Sequence, residues 1–146
     1  MEATMNQSLR ERREAIVNDH IAAENRHDVE ATIATFDRAR YEVNGEPSDG
    51  ESAVRELLQE LMAGFPDFRV EAEQFRHADD AVIGEGRVTG THNGPFAGVP
   101  ATGRRIDYPA VAIFEFEEDG LVCEKLYFDS ATILRQIGVL PDPAAA

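Results

Sequence analysis

The apolar residues of this chain change their spacing at Pro66, and that switch limits the fold more than any other feature. Before it the spacing is mostly helical. In "SLRERREAIVNDHIAAENRHD", Leu9, Ile16, Val17 and Ile21 fall near one stripe, and His20 lies beside that stripe, one turn beyond Ile16. "HDVEATIATF" predicts a second, short helix with Asp28 as its N-cap and Val29, Ile33 and Phe36 on its apolar side. "SDGESAVRELLQELMAGF" predicts a third, with Val54, Leu57, Leu58, Leu61 and Met62 in register. Ser52 or Asp49 can start that helix, and Gly64 and Pro66 stop it. Only "ARYEVNGEPSDG" interrupts, where Tyr41 and Val43 alternate with charged residues and predict a short strand ending in a turn.

After Pro66 the period falls to two. "FRVEAEQFRHA" alternates at Phe68, Val70 and Ala72 and then takes up Phe75. "AVIGEGRVTGTH" follows the turn "ADD", and "RIDYPAVAIFEFEEDGLVCEKLYF" reads as two strands joined at Asp119-Gly120. The loop "NGPFAGVPATGR" lies between, "SATILRQIGV" closes the order with a short helix, and "LPDPAAA" is a tail. Helices come first and strands last, which is an α+β order and not alternating βαβ. The expected assembly is a curved mixed or antiparallel sheet wrapped around three N-terminal helices, with a cone-shaped cavity at its open end and a short C-terminal helix.

Composition limits the partners. A chain of 146 residues with 42% hydrophobic content can bury one core. A net charge of -14 opposes binding to nucleic acid or anionic membranes, since phosphate recognition needs clustered Lys and Arg. Lys125 is the single lysine among the basic residues, a balance that fits a salt-adapted or high-GC source as well as simple solubility. No run of about 18 apolar residues is present, so no membrane span is expected. The polar N-terminus has no apolar signal segment, and a cytoplasmic location is expected. Cys123 is the one cysteine, so no intrachain disulfide can form, and it reads as a small core residue.

The segments "GTHNGPFAGVPATGRRI" and "IFEFEEDGLVCEKLYFDSATILRQIG" resemble the SnoaL-like polyketide cyclases. The shared pattern runs Gly-Thr-His, a Gly-Phe-Gly loop, Thr-Gly, Phe-x-Phe, Asp-Gly, Tyr-x-Asp and Leu-x-x-Gln-Ile-Gly. "ENRHDVEATIATF" and "FPDFRVEAEQF" fit the same group upstream. The resemblance spans roughly residues 15–140 of one domain covering 1–146, with 141–146 as a tail. It implies the NTF2-like, or cystatin-like, α+β cone and a homodimer formed partly through the outer sheet face. It also implies a small hydrophobic ligand, and no metal or organic cofactor. The namesake enzymes close a ring by intramolecular aldol chemistry on a polyketide ester, using an acidic residue on the last strand. Asp129 falls on that position.

Aldol closure needs a carboxylate desolvated enough to take and return a proton, and a donor near the enolate oxygen. The resemblance makes Asp129 the general acid/base, and His92, at the end of the "VTGTH" strand, is the candidate catalytic partner, as a donor or by orienting substrate. Alternation puts Tyr127 and Lys125 on the same strand face as Asp129, as substrate-binding residues. His20 on the long helix lines the cone mouth, and Phe36 and Phe96 complete the expected apolar lining. Other readings stand beside these. Asp129 directly precedes "SATILRQ" and can cap that helix, with Ser130 as a rival cap. His92 can be a loop-entry residue, His20 a helix-surface residue, and Tyr127 a wall aromatic. His20 and Glu24 lie one helical turn apart, but a single such pair is no metal motif. The strand "AVAIFEFE" carries no histidine, so the pocket is expected to be more apolar than in the antibiotic cyclases. Two functions follow. One is a cofactor-free cyclase-like or ketosteroid-isomerase-like enzyme, with hydrolysis as a neighbouring chemistry. The other is a non-catalytic ligand-binding or dimerisation module.

Overall fold

The computed structural model describes residues 2–143, with side chains from Ser8 onward. Its helices are α1 (Glu2–Asn25), α2 (Val29–Ala34), α3 (Glu51–Gly64) and α4 (Ser130–Gln136). Its strands are β1 (Arg40–Val43), β2 (Glu46–Asp49), β3 (Arg69–Ala78), β4 (Ala81–Thr91), β5 (Arg105–Glu117) and β6 (Gly120–Tyr127). The strands form one curved, unclosed sheet in the order β2-β1-β6-β5-β4-β3. β1 runs parallel to β6, and every other neighbouring pair is antiparallel. The α+β cone expected from the order of periods is therefore present, with a mixed sheet. None of the described helices is long and apolar enough to cross a membrane.

Two local expectations are corrected. β2 was not expected; Asn44 and Gly45, both at positive φ, make the two-residue turn that folds the chain back onto β1. The third helix starts after Gly50, not at Ser52 or with Asp49 as cap. Gly50 sits at φ 91, a conformation that favours glycine, and no side chain caps the helix. Asp28 does cap α2, its carboxylate accepting from the Ala31 N–H.

The inward stripe of α1 is Arg13, Val17, His20, Ala23 and Glu24, all buried. Helical spacing alone picked Ile16, Val17 and Ile21, but Ile16 and Ile21 are only partly buried. The charged members of the stripe survive because each finds partners. Arg13 donates to the carbonyls of Glu118 at 2.7 Å and Asp79 at 2.8 Å, and its guanidinium lies 5.4 Å from the Phe116 ring centre. It thereby ties α1 to the β3–β4 and β5–β6 turns at once.

β6 gains its inward row from an irregularity. The register with β5 shifts between Glu115 and Phe116, so Leu121 and Glu124, three apart, are both buried. Beyond the shift, strict alternation turns Glu124 and Leu126 inward and Lys125 outward.

Replacing Arg13 by Ala removes two hydrogen bonds from a charged donor and leaves two turn carbonyls with fewer partners. The expected loss is about 2–4 kcal/mol of unfolding free energy. Urea denaturation of the variant measures it, and an unchanged midpoint would remove this role for Arg13.

Candidate functional site

The helices and the concave face of the sheet line a partly open cavity of about 210 Å³. Its wall is largely apolar, with Leu58, Leu61, Phe65, Phe75, Phe114 and Phe128 among the contributors. Glu24, Glu124, Tyr41 and Tyr108 bring polar groups to it.

Glu24 and Glu124 meet at His20, which is fully buried. His20 Nε2 lies 2.8 Å from Glu124 Oε1, 3.2 Å from Glu24 Oε1 and 2.8 Å from the Tyr41 hydroxyl oxygen. The other ring nitrogen, Nδ1, is 2.7 Å from Thr35 Oγ1. The Thr35 hydroxyl donates its own proton to the Thr32 carbonyl. It can therefore only accept from His20, so Nδ1 carries a hydrogen. Phe36 stands edge-on to the imidazole at 5.2 Å and Phe114 does so at 5.8 Å, which keeps water from its faces.

Nε2 therefore decides the charge of the cluster. Burial disfavours a charged imidazole, but the carboxylates of Glu24 and Glu124 outweigh it and raise His20 to about 10. Burial, then the charge of Glu24, pushes Glu124 up to about 7 against the pull of His20. Glu124 Oε1 touches Nε2 but makes no well-directed hydrogen bond, so one oxygen at the cavity wall keeps accepting capacity. Tyr41 is held well above its ordinary value by burial and by both carboxylates, and it stays neutral.

The donor atoms of His20, Glu24 and Glu124 all lie within 4.8 Å of one another. With Nδ1 protonated, Nε2 and two carboxylates are the kind of set that can hold a divalent cation. The separation of 2.8 Å between Nε2 and Glu124 equally suits an ion pair between an imidazolium and a carboxylate.

The residues expected from sequence divide sharply. His20 is in the cluster, Phe36 packs on its ring, and Phe96 lines the cavity. Asp129 does not reach the cavity. Its carboxylate caps α4, accepting from the Ala131 N–H at 3.0 Å and the Thr132 hydroxyl at 2.9 Å, with Arg135 at 3.5 Å. Those hydrogen bonds, the Thr132 one foremost, hold its pKa below the usual value, the reverse of what a proton-abstracting carboxylate needs. Tyr127 is 46% exposed, and Lys125 pairs on the outer face with Glu42 and Glu115. Both were placed inward by taking the wrong phase of β6.

His92 is buried behind the wall. Its ring bonds to Thr102 Oγ1 at 2.9 Å and packs on Phe65. Its carbonyl accepts from the Thr102 and Gly103 N–H groups. His92 thus anchors the 93–104 loop, which delivers Phe96 against Phe65. The same loop docks on the end of α3 at Gly94, where a Cβ would lie 1.9 Å from the Ala63 carbonyl oxygen.

Sequence reasoning missed Glu124, Tyr41 and Tyr108 as site residues and noted Glu24 only as a helical neighbour of His20. One signal was available: Glu124 alternates with Leu126 and Phe128, an acid in an otherwise apolar row.

The cluster sets a pH dependence of stability. Between about pH 4.5 and 7 folded Glu124 keeps a proton that the unfolded chain has released, and between about 6.5 and 10 folded His20 does the same. Where the folded state binds more protons, stability falls as pH rises, so both windows act in one direction. The expected outcome is a urea midpoint that declines from about pH 5 to about pH 9, with a flatter profile in the double variant His20→Gln, Glu124→Gln. Equal slopes in the two proteins would contradict the assignment.

The fold and site can be set beside known proteins. Residues 11–137 match the SnoaL-like polyketide cyclase family. AclR, a candidate hydroxylase from Streptomyces galilaeus, is similar with a TM-score of 0.78 at 27% identity, over 89% of this chain and 83% of its own. A candidate SnoaL-like polyketide cyclase from Jannaschia sp. CCS1 has a TM-score of 0.81 at 22% identity, over 89% of this chain and 94% of its own. IdmH, a candidate polyketide cyclase from Streptomyces antibioticus, has a TM-score of 0.71 at 24% identity, over 87% and 99%. At such identities the latter two speak to the fold alone. No curated protein sequence matches the chain. With the family match running from α1 to α4 and the sheet and helices arranged as in the NTF2-like cone, this chain belongs to the SnoaL-like polyketide cyclase family.

Proposed function

We propose that the protein is a cyclase- or isomerase-type acid/base catalyst for a small apolar carbonyl compound, with Glu124 as the group that takes and returns the proton. One observation carries this reading: two buried carboxylates share a single histidine at the wall of an apolar cavity. One imidazolium can balance only one of them, so the second carboxylate is left near its titration point. A base is most effective when its pKa lies near the working pH.

The steps balance without a co-reactant. Glu124 removes a proton from a carbon beside a carbonyl, and the C–H electron pair moves into an enolate. In ring closure that pair forms a C–C bond to a second carbonyl carbon of the same molecule, and the resulting alkoxide takes the proton back from Glu124. In isomerisation the proton returns to a different carbon. His20 and Glu24 set the charge beside Glu124, and the Tyr41 hydroxyl and Thr35 hold the imidazole in place. Dry apolar walls keep the enolate from water. Family membership supports this class of chemistry, and Asp129 has no part in it.

The competing use of the cluster is to ligate a divalent cation, favoured by the Nε2 and carboxylate donor set. The plain binding module is the other alternative. Proton–deuterium exchange at the α-carbon of small ketones in D₂O, followed by NMR, separates the three. The wild type is expected to accelerate exchange, with a rate that rises as Glu124 ionises through about pH 7. Glu124→Gln should lower the rate about 10²–10⁴-fold, while Asp129→Ala keeps it and loses roughly 1 kcal/mol of stability as a missing cap. No acceleration across one- and two-ring ketones would favour the binding module. Loss of rate on chelation, restored by a divalent metal, would favour the cation.

We also propose a homodimer through the outer sheet face, where Ile83 lies opposite Ile113 and Val111 opposite Tyr127. Light scattering should give twice the 16.1 kDa chain mass, and Ile113→Lys should give the monomer. A wild-type monomer would end this proposal.

A further inference from the structure

The cavity has a second polar end that the chemistry above does not use. Inward-facing residues of β5 run Tyr108, Ala110, Ala112 and Phe114, and all four line the cavity. Phe114 pairs with Glu124, so Tyr108 stands six residues away along β5, at the opposite end of this row. Between the two ends the floor is made of small residues. Ala110 pairs with Gly86 and Ala112 with Gly84 on β4. Larger side chains at 110 and 112 would fill the space between the ends, whereas Gly84 lies against the Phe75 ring and Gly86 against the Glu71 carbonyl, so the two alanines keep the row open from Tyr108 towards Glu124.

Tyr108 is 5% exposed and packs beside Phe128. Its hydroxyl makes no hydrogen bond among the described residues and stays accessible from the cavity. A ligand acceptor in this largely apolar setting would give it a partner. Tyr41, the other tyrosine on the wall, is already engaged with His20. Tyr108 is thus a neutral donor at the end of the row away from Glu124, free to meet a ligand. Burial and the Glu24 charge raise its pKa, so the hydroxyl keeps its proton.

Size and charge narrow the ligand. A cavity of about 210 Å³ exceeds the roughly 150 Å³ that accommodates benzene in an engineered apolar cavity, but falls short of the 300–1,000 Å³ range of drug-sized sites. One or two rings suit that volume. Glu24 and Glu124 on the same wall repel an anion.

We propose that Tyr108 hydrogen-bonds a carbonyl oxygen at the end remote from Glu124 on an uncharged, one- or two-ring ligand lying along the Ala110 and Ala112 row. This rests on the acid/base reading for its substrate class, but it is tested by binding and not by turnover. The probes are 1-tetralone and tetralin, which share a shape and differ in the carbonyl, titrated by calorimetry or NMR against the full chain.

The wild type should prefer tetralone about tenfold or more. Tyr108→Phe should erase most of that preference while leaving tetralin affinity unchanged. Ala110→Leu should weaken both probes together by filling the row, with thermal melts confirming that each variant is folded. A preference for tetralone that survives in Tyr108→Phe overturns the assignment, as does binding unaffected by Ala110→Leu. The ratio of the two probes within one protein is internally controlled, so a general loss of stability does not imitate the expected result. If ketone exchange is absent yet the Tyr108-dependent preference holds, the catalytic reading fails and the binding assignment stands.

Discussion

A histidine between two carboxylates, sealed from water, is the constraint around which the rest of the molecule is arranged. Burying any one of these charges alone would cost several kcal/mol. His20, Glu24 and Glu124 are tolerated because each offsets the others and Tyr41 and Thr35 bond to the imidazole, while Glu124 Oε1 keeps accepting capacity. The balance is incomplete, since one positive group faces two negative ones. That mismatch pushes Glu124 up towards neutrality and gives a core polar cluster its chemical potential. A fully paired cluster would be a structural element and nothing more.

Holding the cluster in place requires cooperation between distant segments. α1 contributes His20 and Glu24 on one stripe and fixes that stripe with Arg13, which bonds to two hairpin turns. β1 contributes Tyr41, and β6, parallel to it, contributes Glu124 as its direct partner in the ladder. The register shift in β6 brings Leu121 into the core without turning Glu124 out of it. On the far side, His92 spends its hydrogen bonds on the 93–104 loop so that Phe96 closes the apolar wall. Cluster groups on helices and strands and wall groups on a loop anchored by His92 build the site without any disulfide.

Several parts of this arrangement are visible in the primary structure for clear reasons. The period change at Pro66 separates helices from sheet because helical and extended backbones repeat differently. Asp28 is readable as a cap because its role depends on residues two or three positions away. Asp129 shows the limit of such reading. Its local context indicated a cap and its position in the family pattern indicated a base, and the two roles require the carboxylate to point in different directions. The cap is what the fold contains. Tyr127 and Lys125 went astray with it, because one choice of phase assigns a whole strand face.

By itself the sequence determined the α+β order, the absence of an intrachain disulfide, the unfavourable charge for nucleic acid, and the family. All of these follow from composition or from patterns within about twenty residues. Only the tertiary structure decided which carboxylate is desolvated. His20 and Glu124 lie more than a hundred positions apart in the chain with Tyr41 between them, and no local rule couples the three. Their proximity follows from which face of α1 meets which face of β6. That choice is made by packing the whole core, where turning Glu124 inward is possible only because His20 is already waiting there.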